Sequence, residues 1–227
     1  MTQLLFFDLD DTLLDHAHAE QAAQRETFET HAGVFDGVAF DSWLERYREA
    51  NGALWNAYGR GEVVRHDLHQ QRFSTPLTHF GLDSAHATAL GAHYLAAYRR
   101  HWRLNPGAEE ILEAAAQQGI VGIVSNGFVE TQRAKVERFR LGRWVKHLVL
   151  SEDVGVMKPD RAIFDAAVRV SGVSKGRKIY VGDSFDKDIV GAKAAGWLPI
   201  LYNPLRLPIP APVLFVTRLV DLGPLLE

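Results

Sequence analysis

The sequence predicts an α/β protein with a doubly wound, Rossmann-like parallel sheet and an inserted helical domain. Short, continuously apolar segments alternate with segments of helical periodicity, and one long stretch after the first apolar segment contains helical patterns alone. Continuous apolar segments are typical of strands that are covered on both faces, as in parallel sheets. Alternation of such strands with helices favours a doubly wound sheet.

The predicted strands share one pattern, an apolar segment that ends in small or polar residues. In chain order they are LLFFDLD, GIVGIVSNG, HLVLSED, KIYVGDS and LPILYN. A further apolar segment, VLFVT, follows the proline-rich NPLRLPIPAP and is predicted to be an edge strand before a short last helix.

Crossover helices are predicted between these strands, because apolar residues recur there at the spacing of a helix. The segments are AEEILEAAAQQG, VETQRAKVERFRLG, DRAIFDAAVRVSG and DKDIVGAKAAG. Each ends in glycine, at the position where a helix C-cap is expected.

Residues 16–103 are predicted to form the inserted helical domain, and residues 1–15 with 104–227 the α/β core. The inserted stretch has no convincing buried strand, and its segments are amphipathic and separated by Gly, Asp and Ser. We expect its aromatic residues Trp43, Trp55 and Tyr58 to pack in its core.

Composition excludes several classes of function. The 227 residues, 47% of them hydrophobic, are enough to bury a core, and the net charge of -3 gives no general attraction to a nucleic acid polymer or an anionic membrane. The absence of cysteine excludes disulfides, thiolate zinc sites and cysteine nucleophiles. We see neither a signal peptide nor a membrane-spanning segment and expect a cytoplasmic protein, monomeric or homodimeric.

Polar side chains follow the predicted strands at their carboxyl ends, where open parallel sheets bind ligands. The chain places there Asp8, Asp10, Asp11 and Thr12, then Ser125, Asn126 and Gly127, then Lys158, then Gly182, Asp183, Ser184, Asp186 and Asp188. Carboxylates crowded against a buried strand disfavour their own ionisation. We therefore expect a metal ion among them.

In this order the residues resemble the four motifs of the haloacid dehalogenase (HAD) superfamily, in the subgroup with a helical C1-type cap between the first and second strands. The motifs are Asp-x-Asp-x-Thr at Asp8 to Thr12, Ser125, Lys158, and Gly182-Asp183 with Asp188. The resemblance covers the whole predicted core, and it implies that the inserted helices form a cap that closes over the site.

The chemistry of phosphoryl transfer assigns a role to each motif residue. Alternation along a strand puts Asp8 and Asp10 on the same side of the backbone. We predict that Asp8 is the nucleophile that forms an aspartyl-phosphate, and that Asp10 protonates the leaving alkoxide and later deprotonates water. Ser125 and Asn126 are predicted to bind the phosphoryl group, and Lys158 to bind it and offset its charge.

We expect Mg²⁺, a hard cation with oxygen ligands, to neutralise Asp8 and Asp183 together with the phosphate. The resemblance implies that the backbone carbonyl of Asp10 is another ligand and that Asp188 supports the metal. Asp186 competes with Asp188 for this role, although Asp186 could instead be a first-turn acid that the helix dipole stabilises.

Simpler interpretations stay open for some of these residues. Ser125 could be a helix N-cap, with or without a phosphate to bind. Lys158 taken alone would be a solvated surface lysine. Thr12 is expected to fix its loop, and the histidines show no reliable metal-ligand spacing.

The resemblance implies a Mg²⁺-dependent phosphatase that acts on a small phosphorylated metabolite. A 2-haloacid dehalogenase is disfavoured because a halide leaving group needs no proton from Asp10, whereas a phosphomutase and a catalytically idle HAD-fold binding protein stay as alternatives. The segments SNGFVETQRAKVERF, SEDVGVMKPDRAIFDAA and VGDSFDKDIVGAKAAGW are similar to pyrimidine 5'-nucleotidases and to sugar-phosphate phosphatases.

Overall fold

The computed structural model describes residues 2–173 and 175–226, and the chain divides into two compact units. One unit consists of Met1–Asp15 with Arg103–Glu227, and the other of His16–Trp102. Arg103 is tied to the first unit, because its guanidinium donates to the Asp15 carboxylate and its carbonyl accepts from the Asp15 N–H.

Six strands of the described residues form one sheet in the first unit. They are β1 (Gln3–Phe7), β2 (Gly119–Ser125), β3 (Val145–Leu150), β4 (Lys178–Gly182), β5 (Leu198–Tyr202) and β6 (Leu214–Val216). Their order is β3-β2-β1-β4-β5-β6, and every neighbouring pair is parallel. The predicted doubly wound sheet and its edge strand are confirmed. The strand order reverses between β1 and β4, which is where such sheets bind ligands.

The second unit is helical. Its helices are α1 (His16–Thr30), α2 (Phe40–Gly59), α3 (Arg65–His79) and α4 (Ala87–Arg100), with 3₁₀ turns at Ala32–Val34 and Ser84–His86. Helix α1 packs against α4, and α3 packs against both α2 and α4.

An aromatic cluster fills the helical unit. Trp43 is fully buried, as expected, and its indole N–H donates to Gln24 Oε1 at 3.0 Å. Trp55 and Tyr58 are half-buried and pack edge to face at 5.7 Å between ring centroids. The expectation of a core position is therefore right for Trp43 and wrong for the other two.

The remaining helices belong to the first unit. They are α5 (Ala108–Gln118), α6 (Val129–Arg138), α7 (Ser151–Val154), α8 (Arg161–Ser171), a π-helical segment Phe185–Val190 that continues as α9 (Gly191–Ala194), and α10 (Gly223–Leu226). Short 3₁₀ turns occur at Leu141–Arg143 and Leu219–Leu222.

Strand β1 explains why the apolar segments are continuous. Leu5 and Phe7 pack into a cluster on one face of the sheet with α5, and Leu4 and Phe6 pack into a second cluster on the other face with α8. All four side chains are buried. A strand between two helical layers has no face exposed to solvent, so no position in it favours a polar residue.

The predicted glycine C-caps are right at two helix ends and wrong at two. Gly172 and Gly196 have φ of 68° and 75°, the left-handed conformation in which glycine is favoured. Gly119 is extended instead, because β2 starts directly after α5. Helix α6 ends at Arg138, and Gly142 lies in the 3₁₀ turn that follows.

Among residues 2–173 and 175–226, no helix combines the length and the apolar composition that crossing a membrane requires.

Candidate active site

The strand register brings the polar strand ends together. Strand β1 lies between β2 and β4, with Phe7 opposite both Ile123 and Val181. The Asp8 N–H donates to the Val181 carbonyl at 2.8 Å, so Asp8 prolongs the strand by one residue. The residues that follow these three strands therefore meet at one edge of the sheet.

Three carboxylates form an acidic cluster at this edge. Asp8, Asp183 and Asp188 each offer an oxygen atom within 4.8 Å of the others. Burial raises the pKa of Asp8 to about 7, against the pull of the Lys158 charge. Burial and the charges of Asp8 and Asp188 raise the pKa of Asp183 well above its usual value. The chemistry of this donor set, closely spaced hard oxygens whose repulsion a cation would relieve, fits a metal ion.

Lys158 partly compensates the acidic cluster. Its buried ammonium donates to Asp8 Oδ1 at 2.5 Å, to Asp188 Oδ1 at 2.7 Å and to the Tyr180 hydroxyl at 3.0 Å. Burial alone would lower its pKa, but the carboxylates of Asp188 and Asp8 outweigh that effect and raise the pKa well above its usual value. The interpretation of Lys158 as a solvated surface lysine is wrong.

The winding of the π-helical segment decides between Asp188 and Asp186. Asp188 is buried and its Oδ2 accepts from the Ser184 N–H at 2.9 Å, whereas Asp186 is exposed. The Ile189 N–H reaches the Ser184 carbonyl, an i→i+5 bond. A Cβ at Gly182 would lie 2.3 Å from Asp188 Cγ, so this position has no room for a side chain. Asp188, and not Asp186, therefore belongs to the acidic cluster.

Asp10 lies apart from that cluster and has its own partners. Lys135 Nζ donates to Asp10 Oδ1 at 2.5 Å, and Gln132 Nε2 donates to Asp10 Oδ2 at 2.8 Å. Both partners come from α6 and are fully buried. The side chain of Asp10 is not one of the three clustered carboxylates.

Ser125 ends β2 and is buried beside Asp10. Its Oγ accepts a hydrogen bond from Gln132 Nε2 at 2.6 Å. The helix that follows has Phe128 at its N-cap and no side-chain cap bond, so the interpretation of Ser125 as an N-cap is wrong. The Val129 N–H, at the start of α6, is bonded to Glu152 Oε2 instead.

Asn126 and Thr12 organise the surrounding loops. The Asn126 amide donates to the Lys158 carbonyl at 3.0 Å and accepts from the Lys158 N–H at 2.7 Å. A phosphate ligand from this residue would therefore be its backbone N–H. Thr12 is buried, its hydroxyl donates to Asp183 Oδ1 at 3.3 Å, and its carbonyl accepts from Asn105 Nδ2. Thr12 fixes its loop as expected.

Sequence reasoning missed three buried side chains at this edge. Gln132 and Lys135 contact Asp10, and the Tyr180 hydroxyl contacts Lys158, Asp188 and the Val124 carbonyl. A usable signal existed for the first two, since residues three apart lie on one face of a helix. The sequence contains no comparable signal for Tyr180, because aromatic residues are common in core strands.

The fold and the site together define a class: an α/β enzyme core with an acidic site, able to hold a cation, at the switch point of a doubly wound sheet. The model of the haloacid dehalogenase-like hydrolase family matches residues 2–196. The chain belongs to this family, so it is a hydrolase of that type, and the resemblance found in the sequence is confirmed.

Similar proteins include a phosphatase and a dehalogenase. The chain is 30% identical to the putative HAD-hydrolase YfnB of Bacillus subtilis over 201 residues (88% of this chain, 83% of that protein), and 30% identical to the pyrimidine 5'-nucleotidase YjjG of Escherichia coli over 193 residues (85% and 82%). The crystal structure of YfnB bound to magnesium superposes with a TM-score of 0.86 at 29% identity, over 99% of this chain and 98% of that chain. A 2-haloacid dehalogenase of Pseudomonas syringae gives 0.69 at 28% identity, over 100% and 98%.

Proposed function

We propose that the protein is a Mg²⁺-dependent phosphatase that hydrolyses small phosphomonoesters through an aspartyl-phosphate on Asp8. One observation carries this proposal: the carboxylate of Asp10 is fixed by Lys135 and Gln132, and Gln132 also bonds Ser125 Oγ. A proton donor kept beside a hydroxyl that can bind phosphate suits an alkoxide leaving group. A departing halide requires no such donor.

In the first half of the proposed reaction, Asp8 attacks phosphorus and the bond from phosphorus to the ester oxygen breaks. Asp10 gives its proton to the departing oxygen, so the product leaves as an alcohol. Ser125 and the backbone N–H groups of its loop bind the phosphoryl oxygens. Lys158, already bonded to Asp8 Oδ1, stabilises the negative charge that Asp8 and the phosphoryl group share.

In the second half, Asp10 removes a proton from water, and the water attacks the phosphorus of the aspartyl-phosphate. The bond from phosphorus to Asp8 breaks, which restores the Asp8 carboxylate and releases inorganic phosphate. Asp10 is then protonated again for the next cycle. Asp10 thus acts as a general acid in the first half and as a general base in the second, because it gives up a proton to the leaving group and regains one from water.

A charge count supports the metal. Asp8, Asp10, Asp183 and Asp188 supply four carboxyl groups, whereas Lys135 and Lys158 supply two ammonium groups. A phosphate ester would add negative charge to a site that already has an excess of it. Asp8 and Asp183, with Asp188 in support, would hold Mg²⁺, which supplies charge neutralisation for nucleophile and phosphoryl group. The Asp10 backbone carbonyl is the further proposed ligand.

The proposed substrate is a nucleoside monophosphate or a sugar phosphate. The similarity to the pyrimidine 5'-nucleotidase YjjG supports the first. The similarity to a 2-haloacid dehalogenase keeps one other reaction as a second candidate, in which Asp8 attacks carbon and a halide leaves.

Phosphate release from a panel of nucleoside monophosphates and sugar phosphates tests the proposal, with Mg²⁺ or a chelator. We expect metal-dependent release by the wild type, its loss in Asp8→Asn, and its retention in Asp153→Asn, whose carboxylate is exposed on α7. Release by Asp8→Asn at the wild-type rate would contradict the mechanism. Halide release from a 2-haloacid, with no phosphate release from any ester, would favour the dehalogenase.

A further inference from the structure

We propose that Gln132 and Lys135 of α6 are positioning residues that join the Asp10 carboxylate and the Ser125 hydroxyl into one fixed hydrogen-bonded unit. The proton donor and the phosphate ligand would then keep a constant relative position through both halves of the reaction. This inference rests on the proposed function, and it adds two residues to the four motifs.

The two residues fix both oxygen atoms of Asp10. Lys135 Nζ donates to Oδ1 at 2.5 Å and Gln132 Nε2 to Oδ2 at 2.8 Å. Because each oxygen has its own donor, rotation of the carboxylate breaks at least one hydrogen bond. General acid–base catalysis depends on placing the proton within hydrogen-bond reach of the reacting oxygen. The contacts therefore set the direction from which Asp10 can act.

Burial makes this arrangement rigid. Gln132 is 0% exposed and Lys135 is 1% exposed, whereas the neighbouring Arg133 guanidinium extends into solvent and pairs with Asp153. A buried ammonium is costly unless a carboxylate accompanies it. A Cβ at Gly127 would lie 2.2 Å from Gln132 Nε2, so the loop after β2 leaves room for the amide only because residue 127 is glycine.

The Gln132 amide also sets the direction of the Ser125 hydroxyl. The amide nitrogen carries two protons, and it donates one to Asp10 Oδ2 at 2.8 Å and the other to Ser125 Oγ at 2.6 Å. The Gly127 N–H is a second, longer donor to Oγ at 3.4 Å. A hydroxyl that accepts from two donors directs its single proton elsewhere. In the proposed reaction the acceptor of that proton is a phosphoryl oxygen.

The Gln132 amide oxygen is an unsatisfied hydrogen-bond acceptor. It is buried and, within residues 2–173 and 175–226, has no hydrogen-bond partner. Such an atom costs stability. The position therefore keeps a donor for Asp10 and Ser125 at the expense of an unpaired acceptor, as expected of a residue that serves the reaction.

The two residues differ in what their loss should do. Without Lys135, Asp10 loses one of its donors, while Ser125 keeps the Gln132 and Gly127 donors. Without Gln132, both Asp10 and Ser125 lose a donor. Poor proton placement slows the departure of a basic leaving group more than that of a stable one, because only the basic one needs the proton.

The test compares phenyl phosphate with p-nitrophenyl phosphate, two esters of similar shape whose leaving groups differ in basicity. The measured quantity is kcat/KM, which reports the steps up to departure of the phenol. For Lys135→Met we expect kcat/KM to fall about 30-fold or more with phenyl phosphate and about threefold or less with p-nitrophenyl phosphate. The ratio of kcat/KM for p-nitrophenyl phosphate to kcat/KM for phenyl phosphate should therefore rise in Lys135→Met. Lys135→Arg, which keeps the cation, should return this ratio most of the way to the wild-type value. Arg133→Met, on the same helix, should leave it at the wild-type value.

Gln132→Met, a change of similar size, provides the second arm and carries the test if Lys135→Met does not fold. We expect the same change in the ratio and, because Ser125 is also released, inhibition by inorganic phosphate weakened by about tenfold. In Lys135→Met the inhibition by phosphate should be unchanged.

The outcomes separate this inference from the proposed function. If the wild type releases phosphate neither from these two esters nor from the panel of nucleoside monophosphates and sugar phosphates, the proposed phosphatase activity is wrong. If the wild type hydrolyses both and Lys135→Met lowers both by the same factor or by none, the positioning role is overturned and the phosphatase stands.

Discussion

At the scale of single residues, the site is a balance of buried charge. Lys158 shows this most clearly, since one ammonium group serves two carboxylates and the hydroxyl of Tyr180 in a buried position. Removing one partner from a buried ionic group leaves the other charges uncompensated, which costs far more than losing a surface pair.

Lys158→Met is therefore expected to lower the free energy of unfolding by about 3 kcal/mol in the presence of a chelator. Urea unfolding at neutral pH measures this, with Lys187→Met as the control, because Lys187 is exposed in the π-helical segment. Equal stability of the two variants would show that Lys158 does not compensate the acidic cluster.

The neighbouring acids Asp186 and Asp188 give a second prediction at this scale. Only Asp188 lies in the acidic cluster, where Lys158 and the Ser184 N–H hold its two oxygens. Asp188→Asn should raise the Mg²⁺ concentration needed for half-maximal phosphate release by about 10- to 100-fold, and Asp186→Asn should leave it unchanged. A titration of activity with Mg²⁺ decides this, and a larger effect for Asp186→Asn would refute the assignment.

At the scale of elements, the sequence predicts the strands well. Strand β1 and its neighbours are buried on both faces, so their apolar segments are not interrupted by polar residues. Side-chain contacts between distant elements are harder to predict. Lys135 and Asp10 are 125 residues apart, and no local pattern contains that pairing. The choice between Asp186 and Asp188 depends on a π-helical winding that the periodicity of an α-helix does not describe.

The backbone of β2 at Gly122 lies against the Phe6 ring of β1, and this contact provides a test of the sheet packing. A Cβ at Gly122 would lie 2.2 Å from the ring of Phe6, which is buried in β1. Gly122→Ala should therefore lower the free energy of unfolding by about 2 to 3 kcal/mol, as overpacking does in cores.

The matched control is Gly142→Ala, because a Cβ there meets no atom within 4 Å. Chemical unfolding of both variants measures the difference. A Gly122→Ala variant as stable as Gly142→Ala would contradict the register of β1 against β2.

At the scale of the whole molecule, we expect the acidic cluster to lower stability when no cation is bound. The pKa of Asp183 is raised by burial and by the charges of Asp8 and Asp188, so ionisation of this carboxyl is less favourable in the folded state than in the unfolded state. A ligand that binds only the folded state adds about 2.7 kcal/mol of stability at a concentration of 100 times its Kd.

Mg²⁺ is accordingly expected to raise the Tm of the wild type by several degrees over a chelated sample of equal ionic strength. Asp183→Asn should abolish most of this rise and, in chelator, should unfold at the wild-type Tm or above it, because Asn places no ionisable group at this buried position. Differential scanning calorimetry measures both. A variant with an undiminished response to Mg²⁺ would mean that the ion binds elsewhere.

In the proposed reaction Asp8 carries the phosphoryl group, and chemical trapping would identify the residue that holds it. Borohydride added during turnover of a small phosphomonoester reduces an acyl phosphate to an alcohol, and mass spectrometry of the peptides then locates the changed residue. We expect reduction at Asp8 that depends on substrate and Mg²⁺ and is absent in Asp8→Asn. Reduction at any other carboxylate, or phosphate release by Asp8→Asn at the wild-type rate, would contradict it.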